Sequence, residues 1–226
     1  MFEFNPSVRS SYADHLSSHS RAAISDSALI PAAVAIVVTK SAHNDEACFL
    51  LTRRAKGLKR HSGQYALPGG RLESGESTET AALRELEEEL GLTASISQVA
   101  GQLDDFATRS GFRITPVVVW LDQHTNMALD PGEVDAVFSV PIRDLNHPDV
   151  PRLHQISQSP SPVLSIWLES LQEEVFSPTA AILYQFREVV LFGRETRVAH
   201  YEQPVFAWRC VNTRPMHAAT SAPLKK

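Results

Sequence analysis

The sequence predicts an α/β protein in which a mixed β-sheet lies between α-helices. Strand-like and helix-like segments alternate irregularly along the 226 residues, which fits a mixed sheet better than a doubly wound parallel one. The apolar block at 31–38 and the β-rich segment at 48–54, separated by turn formers, predict an early hairpin. The segment 78–90 predicts a helix, because its leucines form one apolar stripe and Gly91 follows where a left-handed residue ends a helix.

The rest of the chain predicts further strands, a second helix and a long loop. β-Branched and aromatic residues predict four strands, at 95–104, 112–122, 133–142 and 163–169. Ser177 as N-cap, Pro178 in the first turn and Gly193 beyond the last turn predict a helix over 177–193. The Pro-, Ser- and His-rich stretch at 146–162 has no periodicity and predicts a long surface loop, with a lid as one interpretation.

Three regions divide the chain. Residues 1–27, rich in Ser, Ala and His, predict a loosely held N-terminal arm, and a short helix within it is an open alternative. Residues 28–211 predict the folded domain, and residues 212–226 predict a disordered tail.

The composition argues against several classes of protein. The formal net charge is −5, so the whole chain offers no electrostatic reason to expect a nucleic-acid partner. Two cysteines cannot form a disulfide framework, and the longest apolar run, at 32–38, is too short to span a membrane. The N-terminus lacks the pattern of a signal peptide. We therefore expect a cytoplasmic protein without a membrane partner, and a homodimer stays open.

The near-neutral total hides two charged blocks that follow one another. Between Glu73 and Glu89 there are seven glutamates and one arginine. The block upstream is cationic, and its basic residues are Arg53, Arg54, Lys56, Lys59, Arg60 and Arg71. A cationic segment that leads into an acidic helix indicates a site for an anionic ligand together with a cation.

Three carboxylates of the predicted helix share one face. At about 100° per residue, Glu89 lies about 40° from Glu85, Glu88 lies about 60° to the other side, and Glu87 points away. Like charges at these spacings repel each other, so this face needs a compensating cation. Mg²⁺ binds carboxylate oxygens and keeps positions open for the phosphates of a substrate. A solvated acidic face is the alternative that the geometry alone leaves open.

The segment 70–92 resembles the signature of the Nudix hydrolase family. It reads GRLESGESTETAALRELEEELGL and matches G-x5-E-x7-R-E-U-x-E-E-x-G-U, where U is a bulky aliphatic residue, at every specified position. The resemblance implies the Nudix fold and hydrolysis of a nucleoside diphosphate linked to another group. It also implies that Glu76 and Arg84 belong to the catalytic set and pair to brace the loop against the helix. The implied cofactor is Mg²⁺ or Mn²⁺, and its implied ligands are Glu85, Glu88, Glu89 and the backbone of Gly70.

The basic segment 50–70 is similar to an extension that marks coenzyme A diphosphatases within that family. LLTRRAKGLKRHSGQYALPGG follows L-L-T-x-R-[SA]-x3-R-x3-G-x3-F-P-G-G, except that Lys59 replaces Arg and Leu67 replaces Phe. Lysine keeps the charge but loses the guanidinium fork that holds phosphate. Coenzyme A carries about four negative charges. The residues predicted to bind it are Arg54, Lys59, Arg60 and His61; a basic surface loop without a ligand, with His61 structural or exposed, is the alternative. The resemblance covers roughly residues 30 to 142 and fails at 200–209.

These patterns predict a Mg²⁺- or Mn²⁺-dependent diphosphatase for a small nucleotide substrate. We expect coenzyme A or its acyl esters to be cleaved to 3′,5′-ADP and 4′-phosphopantetheine or its acyl form. Lys59, Leu67 and the divergent C-terminal region favour an alternative, a Nudix pyrophosphatase for ADP-ribose, dinucleoside polyphosphates or damaged nucleotides. A second alternative is a catalytically silent nucleotide sensor, against which the intact carboxylates argue.

Several other residues have two interpretations. Glu133, at the mouth of a predicted strand, is a candidate base or extra metal ligand. Asp104 and Asp105 are either turn formers or functional carboxylates, and His147 and His154 are expected to be exposed. The residues predicted for the core rather than for adenine stacking or nucleophilic chemistry are Phe106, Phe112, Trp120 and Cys48.

Overall fold

The computed structural model describes residues 2–57, 63–122 and 127–208. Within them the large mixed sheet contains β1 (Ile30–Lys40), β2 (Ala47–Arg54), β3 (Tyr65–Ala66), β4 (Gly69–Arg71), β5 (Val99–Gln102), β6 (Phe106–Ala107), β7 (Phe112–Leu121) and β8 (Val134–Pro141). A small antiparallel sheet contains β9 (Arg152–Ile156), β10 (Ser159–Leu168) and β11 (Glu173–Phe176). The α-helices are α1 (Pro6–Ser18), α2 (Thr78–Leu90) and α3 (Thr179–Gln185). Short 3₁₀ helices occupy Ile96–Gln98, Ile142–Asn146 and Val205–Ala207.

β1 and β7 form the centre of the large sheet. They run parallel, with register from the pair Ile30–Phe112 to the pair Thr39–Leu121. β1 also pairs antiparallel with β2 near its end and with β4 near its start, and β2 pairs in turn with β8 and β3. Parallel and antiparallel pairs therefore occur in one sheet, which confirms the predicted class.

Side chains of β1 alternate between two cores, as the two-residue period of a strand requires. Ala33, Ala35 and Val37 pack into a core that contains the buried face of α2. Ile36 and Val38 point into the second core, which α1, α3 and the small sheet share. The large sheet thus lies between helices, as predicted.

The N-terminal segment is a packed helix and not the loosely held arm that its composition suggested. Asn5 caps α1 by accepting a hydrogen bond from the N–H of Val8 at 2.9 Å. Val8, Tyr12 and Leu16 are buried, and the Tyr12 ring meets the Trp120 ring edge-on. The prediction was wrong because most residues of α1 are polar and lie on its exposed face. The three residues of α1 that are buried are too few to dominate the composition of the segment.

Asp104 and Asp105 are buried and serve the fold. Asp104 accepts hydrogen bonds from Arg197 Nη1 at 2.7 Å and from the N–H of Ala22 at 2.8 Å. Asp105 accepts a hydrogen bond from Arg21 Nη2 at 2.6 Å. These contacts tie the segment after α1 to the sheet, so the two carboxylates are neither simple turn formers nor part of a catalytic set.

The predicted loop at 146–162 is mostly sheet. β9 and the start of β10 occupy it and pair antiparallel across a tight connection. The prediction of a lid-like loop was wrong because these residues form strands by pairing with each other across β9 and β10, which their local sequence pattern does not indicate. His147 is exposed, whereas the half-exposed His154 lies 2.6 Å from Ser165 Oγ.

The predicted second helix begins two residues later than expected, at Thr179, and continues as one wider turn over Phe186–Leu191. Gly193 follows with φ of +63°, the left-handed conformation expected beyond a helix end. Cys48, Phe106 and Trp120 are each 2% exposed, which confirms them as core residues. Across the described ranges, no helix has the length and apolar content needed to cross a bilayer. The tail predicted at 212–226 lies outside the described residues.

Candidate active site

The acidic segment begins with a loop and a capped helix. Ser77 Oγ accepts a hydrogen bond from the N–H of Thr80 at 3.2 Å and caps the start of α2. Gly91, with φ of +67°, closes the other end, and its N–H bonds back to the carbonyl of Glu87 at 2.8 Å. These local signals determine which residues of the segment share a helix face.

Glycine is required at two positions where β4 approaches its neighbours. A Cβ at Gly69 would overlap the carbonyl oxygen of Ala33 on β1, and the φ of +152° there disfavours other residues. A Cβ at Gly70 would overlap the carboxylate of Glu85. The two glycines therefore let the backbone lie directly against the acidic face of α2.

Glu89 is a buried carboxylate at the centre of this contact. Its exposed fraction is 4%, and its Oε2 accepts a hydrogen bond from the N–H of Gly69 at 3.2 Å. Burial raises the pKa of Glu89 to about 8, and the nearby charges of Glu85 and Glu133 act in the same direction. The Gly69 N–H and the charge of Arg54 oppose this increase only in part. Glu89 forms no salt bridge with any other described residue.

Glu85 lies one helical turn before Glu89. Its side chain is 14% exposed, and burial raises its pKa above the ordinary value although Arg84 opposes the shift. Glu88 and Glu133 add repulsion. The two adjacent carboxylates thus repel each other, and a cation bound between them would relieve that repulsion.

Arg84 joins the loop to the helix. Its guanidinium donates to both oxygens of Glu76, at 3.0 and 3.1 Å, and to the carbonyl of Arg71 at 3.0 Å. Its Nη1 also donates to Glu85 at 3.0 Å and to Glu88 at 2.8 Å. The bidentate pair holds the pKa of Glu76 below its usual range. This is the bracing contact that the sequence resemblance implied.

The predicted metal ligands do not converge as they stand. Among the described residues, no three His, Cys, Asp or Glu side chains lie close enough to hold a metal ion. Arg84 draws Glu88 away, and the Glu88 side chain is 59% exposed. Glu85 and Glu89 nevertheless fit a hard cation, because the single hydrogen-bond partner of the buried Glu89 within the described ranges is an N–H and Glu85 lies against glycine backbone.

A cleft of about 950 Å³ opens beside this acidic face. Its walls come from β1, the end of β2, β3, β4, the start of β7, β11 and residues 203, 206 and 207. The charged residues that line it are Arg53, Arg54, Lys56, Arg71, Glu85, Glu133, Glu173 and Glu174. Arg54 forms no salt bridge with another described residue, whereas Arg53 pairs with Asp135 at 2.8 Å.

The structure thus brings some of the predicted residues together and separates others. Arg54, Gly70, Glu85 and Glu133 line the cleft, and Glu89 is buried behind it. Lys59, Arg60 and His61 lie outside the described residues. Phe112, predicted for the core, instead lines the cleft with the Arg71 guanidinium 5.2 Å from its ring centre.

Sequence reasoning missed the cleft wall formed by β11 and residues 203–207. Phe176 and Phe206 line it with their rings 6.3 Å apart. No local pattern marks these two residues, since their shared position depends on how the small sheet packs.

The family model described as the NUDIX domain matches residues 29–159, more than half of the chain. The chain belongs to the Nudix family. Two curated relatives are Nudix hydrolase 3 of Caenorhabditis elegans and the protein named "Uncharacterized Nudix hydrolase NudL" of Yersinia enterocolitica. The first is 38% identical over 100 residues, which are 42% of each chain. The second is 40% identical over 99 residues, which are 43% of this chain and 50% of the relative.

The Nudix assignment extends to the fold. A MutT/nudix family protein from Enterococcus faecalis superposes with a TM-score of 0.51 at 19% identity, over 74% of this chain and 64% of that one. This likeness confirms the predicted Nudix fold. The aligned part of this Nudix chain spans about half the length of the curated relatives, whose names agree with the predicted hydrolase class.

Proposed function

We propose that this Nudix protein is a divalent-metal-dependent hydrolase that cleaves the diphosphate of coenzyme A or an acyl-coenzyme A. The products would be 3′,5′-ADP and 4′-phosphopantetheine or its acyl form. The observation that carries the proposal is the cleft itself, in which Glu85 and the glycine backbone lie in the same space as Arg54, Lys56 and Arg71. A site with acidic and cationic parts suits a metal ion and a polyanion bound together.

Mg²⁺ or Mn²⁺ would be held by Glu85, Glu89 and the backbone of Gly70, and by Glu88 after its side chain leaves Arg84. A bound divalent ion supplies polarisation of a phosphoryl oxygen and lowers the pKa of a water molecule. In the reaction, a water oxygen bonds to one phosphorus, and the bond from that phosphorus to the bridging oxygen breaks. The bridging oxygen leaves on the second phosphate.

Side chains of this protein would accept the proton, orient the metal ligands and bind the phosphates. Glu133 lines the cleft as an exposed carboxylate and is our candidate to accept the proton of the attacking water. Arg84 orients Glu85 through a 3.0 Å hydrogen bond while Glu76 holds Arg84 in place. Arg54 and Arg71 offset phosphate charge, and a guanidinium does this with two parallel hydrogen bonds.

The burial of Leu67 supports the proposal despite the departure from the pattern at this position. Leu67 is 5% exposed and belongs to the core cluster of the sheet. An aromatic residue there would pack and would not stack on a base, so leucine in place of phenylalanine leaves the coenzyme A proposal intact.

A substrate panel tests the proposal. We expect coenzyme A with Mg²⁺ to yield 3′,5′-ADP by chromatography, with a kcat/KM above that for dephospho-coenzyme A, which lacks the 3′-phosphate. ADP-ribose and a dinucleoside tetraphosphate complete the panel. Turnover of ADP-ribose without turnover of coenzyme A would contradict the substrate and leave the diphosphatase class standing. Binding without turnover of any member would favour a nucleotide sensor.

Arg54→Ala tests the phosphate-binding role, with Arg143→Ala as the control. Arg143 is an exposed arginine whose described partner is Glu46, so its loss removes the same charge without entering the cleft. We expect Arg54→Ala to raise KM for coenzyme A by about tenfold, the cost of one charge-assisted hydrogen bond. ADP-ribose should be affected less, and equal effects on both substrates would refute the assignment.

A further inference from the structure

The cleft beside the acidic helix is divided by charge. Its lysine and arginine residues come from β2, the loop after it and β4, where Arg54, Lys56 and Arg71 lie. The wall formed by β11, the start of α3 and residues 203–207 contributes no lysine, arginine or histidine to the lining. Among the described lining residues, phosphates therefore have cationic partners only on the side of β2 and β4.

The second wall presents an accessible aromatic side chain to the cleft. Phe206 is 66% exposed, an unusual state for a phenylalanine, and meets the half-buried Phe176 edge-on. Pro178 and Ala207 also line this surface, which we call the C-terminal wall: residues 173–179, 203, 206 and 207.

Two glutamates belong to the C-terminal wall, and neither favours an anionic ligand there. The Glu174 carboxylate accepts a hydrogen bond from Ser165 at 2.7 Å and lies 3.4 Å from His154 and 3.9 Å from Arg152. Glu174 is therefore occupied by the small sheet. Glu173 is exposed and would repel an anion.

The segment that carries Phe206 is held in place by an ion pair. The Arg109 Nε donates to Glu202 Oε1 at 3.0 Å, and Glu202 is 5% exposed. The Arg109 guanidinium also lies 4.8 Å from the ring centre of Trp208, whose Nε1 donates to the carbonyl of Gln203 at 2.8 Å. The ion pair and the ring contact fix both ends of the segment around Phe206.

We propose that the C-terminal wall is a specificity subsite for the uncharged, apolar end of the substrate, the acyl chain that a coenzyme A thioester carries at the far end of its pantetheine arm, and that Phe206 is its contact residue. Arg109 and Glu202 are positioning residues for this wall. The inference rests on the proposed function, since it names which half of the substrate meets which wall. The charge division supports it, because the diphosphate and 3′-phosphate would occupy the cationic side and leave the apolar wall to the neutral end.

The experiment compares Phe206→Ser with Val205→Ser. Val205 is the adjacent residue, also exposed at 43%, but it does not line the cleft. We measure kcat/KM for hexanoyl-coenzyme A and for coenzyme A in both variants. We expect Phe206→Ser to lower the ratio of kcat/KM for hexanoyl-coenzyme A to kcat/KM for coenzyme A by about tenfold. This change corresponds to the loss of about two buried methylene groups. Val205→Ser should leave the ratio as in the wild type.

Arg109 provides an independent test of positioning. Arg109→Ala should raise KM for hexanoyl-coenzyme A severalfold with kcat for coenzyme A little changed, and Arg109→Lys should restore part of the loss. A loss of kcat for both substrates would indicate a general structural defect and would refute the positioning role.

The remaining outcomes distinguish failure of the subsite proposal from failure of the proposed function. If no coenzyme A compound is hydrolysed, the proposed function fails. If coenzyme A is hydrolysed and the ratio is unchanged in Phe206→Ser, the wall proposal fails alone. A change in oligomeric state of Phe206→Ser by size-exclusion chromatography, with the ratio unchanged, would overturn the subsite and identify the wall as an interface between copies.

Discussion

Replacing Glu89 by glutamine removes the buried carboxylate of α2, and we expect the metal-free protein to become more stable. Burial raises the pKa of Glu89 from 4.5 to about 8. Glutamine has nearly the same shape, and its side-chain oxygen can still accept the hydrogen bond from the Gly69 N–H. The substitution therefore changes the charge and little else.

The sign of the effect follows from the raised pKa. Folding favours the protonated form of Glu89, so the wild-type free energy of unfolding falls as pH rises from about 4.5 to about 8. One pKa unit corresponds to about 1.4 kcal/mol, which makes the cost about 3 kcal/mol at pH 7. Glu89→Gln avoids this cost, and for a chain of this size the gain amounts to roughly 6 °C or more in Tm.

Thermal and urea unfolding in EDTA between pH 5 and pH 9 measures the effect. The control is Glu87→Gln, the same substitution at an exposed position of the same helix, which should change stability by less than about 0.5 kcal/mol. The difference between Glu89→Gln and wild type should be small at pH 5 and should reach its maximum above pH 8. A Glu89→Gln protein no more stable than wild type at pH 8 would refute the argument from burial.

Three further predictions concern the site and its support. Gly70→Ala should lower kcat by about 100-fold with the fold retained by circular dichroism, because the added methyl group would displace the Glu85 carboxylate; wild-type kcat would contradict this close approach. Asp104→Ala should destabilise the protein by about 1–3 kcal/mol in urea and expose residues 19–24 to limited proteolysis, since the Ala22 N–H and the half-exposed Arg197 lose their acceptor; an unchanged digestion pattern would contradict the structural role of Asp104. Tyr12→Ala should cost about 3–5 kcal/mol, because the ring is 2% exposed between Trp120 and Phe186, and a loss below 1 kcal/mol would show that α1 adds little to the core.

The acidic site was predictable because its information is local. Helix geometry alone places Glu85 and Glu89 on one face, and Gly91 marks the end of the helix by its left-handed conformation. The Arg84–Glu76 pair was also expected, because both residues lie within a single loop and helix. Spacing along the chain is enough to determine such contacts.

The paired aspartates were not predictable for the opposite reason. Asp104 and Asp105 resemble a turn in the sequence, but their partners Arg21 and Arg197 lie more than 80 residues away. A buried carboxylate is stable only with such partners. The sequence contains the partners without indicating that they meet.

The same distinction separates the two halves of the cleft. The sequence by itself determined the acidic helix, the glycine turn and the cationic segment before it, because each is a short-range pattern with a direct chemical meaning. Only the tertiary structure decided that α1 belongs to the core and that Phe206 reaches the cleft. Packing of side chains from distant segments excludes water from some apolar residues and leaves others exposed, and no local pattern records which of the two occurs.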